Sequence, residues 1–482
     1  MPSKLTVFND YSFLQTDNKR LNSFLYNALR HRQKGYFHSP AYKSRRWDGF
    51  INFYTLESGK FLTGLLPEVL VALEKTGEDY EFVDNRTDIT FDHTKIDQHF
   101  LDQFTPTHWA DGTPAEKVVL EDYQVELAEV AAKYRRGVVF APTSAGKTLI
   151  MVCIIRMIKR GIPILILQNR RGLAQQNYKT LIQWGIPNVG CCWGGKVEPN
   201  FITVATVQSL EKIKNLIPKF KCLIVDEIHD MMSDQPKIIY KAMKSACVRI
   251  AMSATPFKYG GKDKVQKYMV KGFFGPELLI ECVKGGKVTT SELQERGRLS
   301  KSKCTFFPVR EPHLEYEVYQ DAVTFGIAEN QDFHQMVKKL ATAQKGRTLI
   351  LVERIAHGDA LNSLIPGSIW VRGQDDDKTR EEVIAKLSKG RGNTIAIATQ
   401  GIFNTGINVF IHNLINAAGG QAEHTIIQRM GRGLRTTKDK SVLNYYDFIF
   451  HINEYLLKHS NKRVKILEDE GHEVELREFD IL

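Results

Sequence analysis

With 482 residues, 43% of them hydrophobic and 25% charged, the chain has the composition of a folded multidomain protein, which excludes wholesale disorder, a fibre or a disulfide-stapled miniprotein. Lys and Arg number 66 against 55 Asp and Glu, and the resulting net charge of +11 favours an anionic partner, nucleic acid first. The seven cysteines, an odd number with no C-x-x-C pair, are expected to be reduced thiols. Lys4, Asp10, Asp17, Lys19 and Arg20 interrupt the N-terminal stretch, which leaves no signal-peptide core. Apolar runs such as Ile162 to Leu167 are too short to cross a bilayer. A cytoplasmic protein with no membrane partner is expected.

The N-terminal region is electrostatically divided. Residues 1–60 hold ten Lys or Arg against four Asp or Glu, whereas residues 61–115 hold three against eleven. The basic part is concentrated in Arg30, Arg32, Lys34, Lys43, Arg45 and Arg46, interleaved with Tyr36, Phe37, Tyr42 and Trp47. Guanidinium groups that neutralise phosphates, beside aromatic faces that stack on bases or sugars, suit nucleic acid. Arg45, Arg46 and Trp47 are the leading candidates for contact. The same pattern also fits a solvated basic helix face. Pro106, Gly112 and Pro114 then mark a boundary.

From about residue 117, short β-branched runs alternate with longer helical patterns. Gly137–Phe140, Ile162–Leu167, Phe201–Val204, Cys222–Val225 and Val248–Met252 form one set of predicted strands. Arg347–Val352, Ser368–Val371, Thr394–Ala398, Leu414–Ala417 and Val442–Tyr446 form a second. The pattern predicts two parallel sheets covered by helices. The Lys- and Gly-rich stretch between them is read as a linker or insertion. The predicted division is 1–110, a nucleic-acid-binding domain; 111–262, the first α/β domain; 263–305, the linker; and 306–482, the second α/β domain.

Four motifs carry the chemistry. The run Ala141-Pro142-Thr143-Ser144-Ala145-Gly146-Lys147-Thr148 lies between a predicted strand and an apolar helix, the setting of a phosphate-binding loop. Backbone N–H groups and the helix N-terminus cradle phosphates there. Lys147 reaches the β and γ phosphates, and Thr148 ligates Mg²⁺. Ala141 stands where the usual pattern has its first Gly. Asp226-Glu227-Ile228-His229 directly follows a predicted strand, 79 residues after Lys147. A carboxylate at that edge lies beside the loop; Asp226 is a candidate Mg²⁺ ligand and Glu227 the base for the attacking water. Ser253-Ala254-Thr255-Pro256 ends another strand, where small hydroxyl residues can relay the γ-phosphate state. In Gln428-Arg429-Met430-Gly431-Arg432-Gly433-Leu434-Arg435, the guanidinium groups of Arg432 and Arg435 can stabilise charge on a phosphoryl group.

Taken in this order, the motifs resemble those of superfamily 2 helicases over about residues 117–465. The resemblance implies a motor of two tandem RecA-like parallel-sheet domains, beside a small α+β N-terminal domain, with ATP and Mg²⁺ as cofactors. Tyr123-Gln124 looks like the family's adenine-reading element, and Thr143, Ser144, Ala145 and Gly146 belong to its phosphate loop. Gln168 through Gln176, with Asn169 and Arg170, resembles motif Ia without its usual Pro. Thr206 and Gln208 resemble motif Ib. Thr399 through Asn408, with Thr405, Gly406 and Asn408, resembles motif V, although Asn408 stands where Asp is frequent. Motifs Ia, Ib and V touch the strand backbone in the family. His229, Ser253 and Thr255 are implied to couple the ATP state to that grip, and Gln428 joins Arg432 and Arg435 at the ATP site. Gly35-Tyr36-Phe37-His38-Ser39-Pro40, Arg46-Trp47-Asp48-Gly49-Phe50-Ile51 and Phe61 to Leu66 are similar to the N-terminal domain of phage UvsW-type helicases. The implied partner is branched, single-stranded or duplex DNA, bound without sequence preference, with RNA of R-loops beside it. A monomer with 3′-to-5′ polarity is expected, in the host cytoplasm if phage-encoded. Two readings stay open beside it. One is an RNA helicase or restriction-system motor; the other is an ATP-switched binding or annealing module.

Overall fold

Alternating apolar residues build the first sheet. Strand β1 (Ser3–Val7) buries Leu5 and Val7, and β2 (Tyr11–Gln15) buries Leu14. The computed structural model describes residues 3–109, 114–257, 261–310, 316–372, 375, 392–399, 411–419 and 442–478. Helix α1 (Lys19–Ala28) is N-capped by the Asn18 side chain, which accepts from the backbone N–H groups of Arg20 and Leu21. Strand β3 (Arg30–Arg32), the short helix α2 (Pro40–Lys43) and β4 (Phe50–Asn52) follow, then β5 (Lys60–Leu62), α3 (Leu66–Thr76) and β6 (Tyr80–Asp84). The sheet order is β5-β2-β1-β6, and β3 pairs antiparallel with β4 as a separate ribbon. Leu21 and Leu25 of α1 and Val69, Ala72 and Leu73 of α3 close a core over this sheet. The basic and aromatic residues 32–50 sit on the ribbon and on the connection between its strands.

The first α/β domain has helices α4 (Asp122–Tyr134), α5 (Lys147–Met157), α6 (Arg171–Gln183), α7 (Asp234–Ala242) and α8 (Lys264–Phe274). Its strands are β7 (Arg136–Phe140), β8 (Ile164–Gln168), β9 (Val189–Trp193), β10 (Lys196–Glu198), β11 (Ile202–Thr206), β12 (Cys222–Asp226) and β13 (Val248–Ser253). They run in the order β10-β9-β11-β8-β12-β13-β7, parallel except for the β9–β10 hairpin. The central strands read as unbroken apolar runs because helices cover both faces. The register pairs Thr206 with Gln168, Asp226 with Met252 and Ser253 with Phe140. The polar residues that end these strands therefore line one carboxyl edge, where open α/β sheets bind ligands.

The second α/β domain contains α9 (Thr290–Glu295), β14 (Lys301–Val309), α10 (Tyr319–Val323), α11 (Gln331–Ala343), β15 (Arg347–Val352), α12 (Ile355–Leu364), β16 (Ile369–Val371), β17 (Thr394–Thr399), β18 (Asn413–Asn416), β19 (Val442–Phe450), α13 (Glu454–Asp469) and β20 (Glu473–Leu476). Its strand pairs are all parallel, in the order β16-β17-β15-β18-β19-β14-β20. Among the described residues, no helix is long and apolar enough to cross a membrane.

The stretch 263–305, expected to be a linker or insertion, is divided between two compact units. Residues up to Lys287, apart from Pro142–Ala145, form one compact unit with the N-terminal and first α/β domains, and the second unit takes over at Val288. Within that stretch α8 is a core helix and β14 begins a central strand of the second sheet. Its lysines and glycines suggest exposure, but Val270, Phe273 and Phe274 supply the burial.

A buried ion pair organises the second domain. Arg463 of α13 and Asp447 of β19 are both fully buried and meet at 2.9 Å. The same carboxylate accepts from Asn416 Nδ2 at 2.8 Å and Tyr445 Oη at 2.6 Å, while Arg463 also donates to the Gly419 and Phe448 carbonyls at 2.7 Å each. Arg463→Met leaves Asp447 charged without its cation in the core. It is expected to cost about 3–5 kcal/mol, read as a lowered urea midpoint; a change below about 1 kcal/mol would show that the network adds no net stability.

Candidate active site

The loop after β7 is built around a glycine that no other residue can replace without strain. Gly146 takes φ +78°, and a Cβ there would lie 2.2 Å from Gln124 Nε2. Ser144, two residues earlier, also has a positive φ of 70°. Helix α5 then starts at Lys147, so its N-terminus opens onto the loop. Thr143 Oγ1 is buried there without a hydrogen-bond partner. This cradle, an orphaned hydroxyl and a helix N-terminus beside a lysine fit a phosphate chain.

The acidic motif approaches from β12. Lys147 Nζ donates to the Ala141 carbonyl at 3.3 Å and lies 3.8 Å from Glu227 Oε1. Glu227 has φ +53°, a left-handed conformation that costs a non-glycine residue about 1 kcal/mol or more. Ser144 and Glu227 both take this conformation. The Asp226 carboxylate accepts from Gln168 Nε2 at 2.9 Å, from Asn177 Nδ2 at 3.4 Å and from the Glu227 N–H at 3.0 Å. Burial, and after it the negative charge of Glu227, push the Asp226 carboxyl above the usual range; Lys147, Gln168 and Asn177 pull the other way. Hard oxygen donors from Asp226, Glu227 and the Thr148 hydroxyl suit a divalent cation such as Mg²⁺.

The third motif touches the second directly. Ser253 Oγ donates to Glu227 Oε2 at 3.3 Å and accepts from the Thr255 N–H at 3.0 Å. His229 Nδ1 lies 2.9 Å from the same hydroxyl. With the hydroxyl proton on Glu227, these contacts are all satisfied when Nδ1 carries the histidine proton. On the other side of the ring, Nε2 is 3.7 Å from Asp230 Oδ1. Asp230 Oδ2 in turn meets Arg170 at 3.5 Å.

Asn169 and Gln208 meet at the ends of the adjacent strands β8 and β11, with Gln208 Nε2 3.3 Å from Asn169 Oδ1. Thr206 is buried and donates to Ser209 Oγ at 3.1 Å. Tyr123, expected to face adenine, is 2% exposed, so its ring is a core side chain; its neighbour Gln124 is the one that reaches the loop. Thr399 ends β17 with its hydroxyl buried and unpartnered. Thr405, Gly406, Asn408, Gln428, Arg432 and Arg435 lie outside the described residues. Asn177 and Asp230 were not singled out from the sequence, and Gln168 was named only as the first residue of the motif Ia stretch. Gln168 carries a readable signal, a polar residue closing the apolar run Ile164 to Leu167, whereas Asn177 and Asp230 matter only through contacts across the sheet.

In the N-terminal domain, Phe37, Tyr42, Lys43, Arg45, Arg46, Trp47 and Asp48 line a shallow cavity of about 860 Å³. Trp47 Nε1 donates to the Phe50 carbonyl at 2.7 Å, and Asp48 pairs with Arg30. Arg45 and Arg46 are exposed and carry no ion pair among the described residues.

Comparison with known proteins agrees with this geometry. The family described as "Type III restriction enzyme, res subunit" matches residues 116–258. The ATP-dependent DNA helicase UvsW of Enterobacteria phage T4 is 24% identical over 522 residues, covering 96% of this chain and 97% of the relative. The DNA 3′-5′ translocase XPB2 of Sulfurisphaera tokodaii is 26% identical over 381 residues, covering 68% of this chain and 81% of that protein. The solved structure of the ATP-dependent type ISP restriction-modification enzyme LlaBIII bound to DNA shares the fold, with a TM-score of 0.56 at 14% identity over 85% of this chain and 34% of that one. The phosphate loop and the acidic motif both lie within the matched residues 116–258, and the similarity to the UvsW helicase extends over nearly the whole chain.

Proposed function

We propose that the chain is an ATP-dependent DNA helicase or translocase that works on branched DNA, moving 3′ to 5′ along a strand. The observation that carries this is the meeting of Lys147, Asp226 and Glu227 at one sheet edge, with Ser253 and His229 bonded onto Glu227. Lys147 supplies fixed positive charge to the terminal phosphates. Thr148 and Asp226 would hold Mg²⁺, which would neutralise phosphate charge. Glu227 orients and deprotonates water. Its carboxylate is aimed by Ser253 on one oxygen and faces Lys147 with the other, so its orientation reports to both motifs. Gln428, Arg432 and Arg435 keep the roles that the resemblance implies. Asn169 and Gln208 grip the strand backbone, which carries no sequence information, so binding is sequence-independent and salt-sensitive.

Branch preference is assigned to the N-terminal cavity, where the exposed guanidinium groups of Arg45 and Arg46, without an ion pair among the described residues, flank the exposed Phe37 and the half-buried Tyr42 and Trp47. The test is ATP turnover with single-stranded DNA, single-stranded RNA, linear duplex, fork and four-way junction. Forks and junctions are expected to stimulate most. Arg45→Ala with Arg46→Ala is expected to weaken fork binding about tenfold at low salt and to flatten its salt dependence by about two phosphate contacts. Preferential stimulation by RNA would replace this reading with an RNA helicase. Equal loss of fork and single-strand binding in the double variant would remove branch recognition from this surface.

A further inference from the structure

Helix α8 is buried on two sides. Val265, Tyr268 and Met269 pack on the N-terminal core, while Val270, Phe273 and Phe274 belong to the core of the first α/β domain. The contact with the N-terminal domain is close enough to require glycine. A Cβ on Gly64 would lie 1.9 Å from the Lys271 carbonyl oxygen, and one on Gly272 would lie 2.6 Å from Leu62 Cδ1. Lys271 also pairs with Glu68 at 3.0 Å, and Arg136 of β7 donates to the carbonyls of Phe273 and Asn9.

Both ends of this contact lead to functional elements. On one side, Gln266 is 8% exposed, and its Nε2 donates to the Pro256 carbonyl at 3.0 Å. Pro256 directly follows Thr255, whose N–H bonds Ser253 Oγ, which bonds Glu227. On the other side, Tyr268 packs its ring on His31 at a centroid distance of 4.2 Å. His31 is the middle residue of β3, the strand at the base of the basic-aromatic connection. A path thus runs from Glu227 by hydrogen bonds to Ser253 and Thr255, along the chain to Pro256, through the Gln266 amide to α8, along the helix backbone to Tyr268 and by a ring contact to His31.

We propose that Gln266 is a positioning residue that couples the state of the nucleotide site to the β3–β4 ribbon through α8. This rests on the assignment of ATP to the Lys147 loop and of DNA to the ribbon. A ligand that shifts Ser253 and Thr255 moves Pro256, and the Gln266 amide carries that shift to α8. Coupling through such a path is reciprocal, so a ligand on the ribbon biases the nucleotide site equally.

The experiment is backbone hydrogen exchange of the full-length protein without DNA, with and without a non-hydrolysable ATP analogue and Mg²⁺. In the wild type, the analogue is expected to change exchange in residues 30–32 and 264–274 by about fivefold. Gln266→Met keeps the length of the side chain and removes its donor; Tyr268→Leu breaks the path at the other end. Both variants are expected to bind the analogue with unchanged affinity and to lose the response in residues 30–32. Only Tyr268→Leu is expected to retain the response in α8. A wild-type ribbon that does not respond, or a response that survives in Gln266→Met, would overturn the proposal. An analogue that fails to bind the wild type would instead defeat the nucleotide assignment. A response at the ribbon without any fork preference in binding would keep the coupling and defeat the branched-DNA reading.

Discussion

Lys147→Ala is expected to reduce nucleic-acid-stimulated ATP turnover by at least about 10²-fold while leaving DNA affinity within about twofold. The ammonium lies at the N-terminus of α5, where it meets the Ala141 carbonyl and faces Glu227 at 3.8 Å. Alanine removes the only mobile cation of the described loop. The cradle itself remains, because Gly146 and the first turn of α5 are backbone features. The strand-contacting candidates Asn169 and Gln208 sit on other loops, so their geometry is untouched. Steady-state turnover and fork binding measured on one preparation check this. Retained turnover would sink the phosphate-loop assignment; equal loss of turnover and binding would point to a misfolded domain.

Glu227→Gln is expected to slow turnover by about 10²–10⁴-fold with nucleotide and DNA binding preserved. The amide keeps the size of the side chain, and its oxygen can still accept from Ser253. It cannot take a proton from water at neutral pH. The backbone conformation at this position, φ +53°, is unaffected by the change, so the strain that aims the residue persists. Single-turnover hydrolysis separates this outcome from slow product release. Near-normal chemistry in the variant would clear Glu227 of the base role and leave it as a partner of Ser253 and Lys147.

The strand pattern of both motor domains was legible because parallel strands covered on both faces read as continuous apolar runs. Each of the ten predicted runs overlaps an observed strand. Four strands of these domains, β9, β10, β14 and β20, lie outside the predicted runs; β10 is three residues long and exposed throughout. Val189–Trp193 mixes cysteine and glycine into a short run, Lys301–Val309 opens with lysines inside a basic stretch, and Glu473–Leu476 has no buried face of its own. At the site, the residues that touch phosphate chemistry announce themselves by motif, since their spacing follows from one strand, one turn and one helix. The residues that orient them do not. Gln168 and Asn177 reach Asp226 across 58 and 49 residues of sequence, and Gln266 reaches Pro256 from a segment whose composition suggested a linker. Tyr123, which the motif assigns to adenine reading, is 2% exposed, and its neighbour Gln124 is the one that reaches the loop.

The double burial of α8 has a consequence for how the protein is made. The N-terminal sheet and its helices are complete at Asp84, yet the helix that covers their outer face ends at Phe274, 190 residues later. At a synthesis rate of about 5–20 residues per second, the nascent chain carries that uncovered face for roughly 10–40 s. During that interval the groove around Leu62 and Gly64 is open to other chains and to chaperones. The same holds permanently for any fragment that stops short of Phe274, so the smallest piece of this protein expected to stay monodisperse extends through α8.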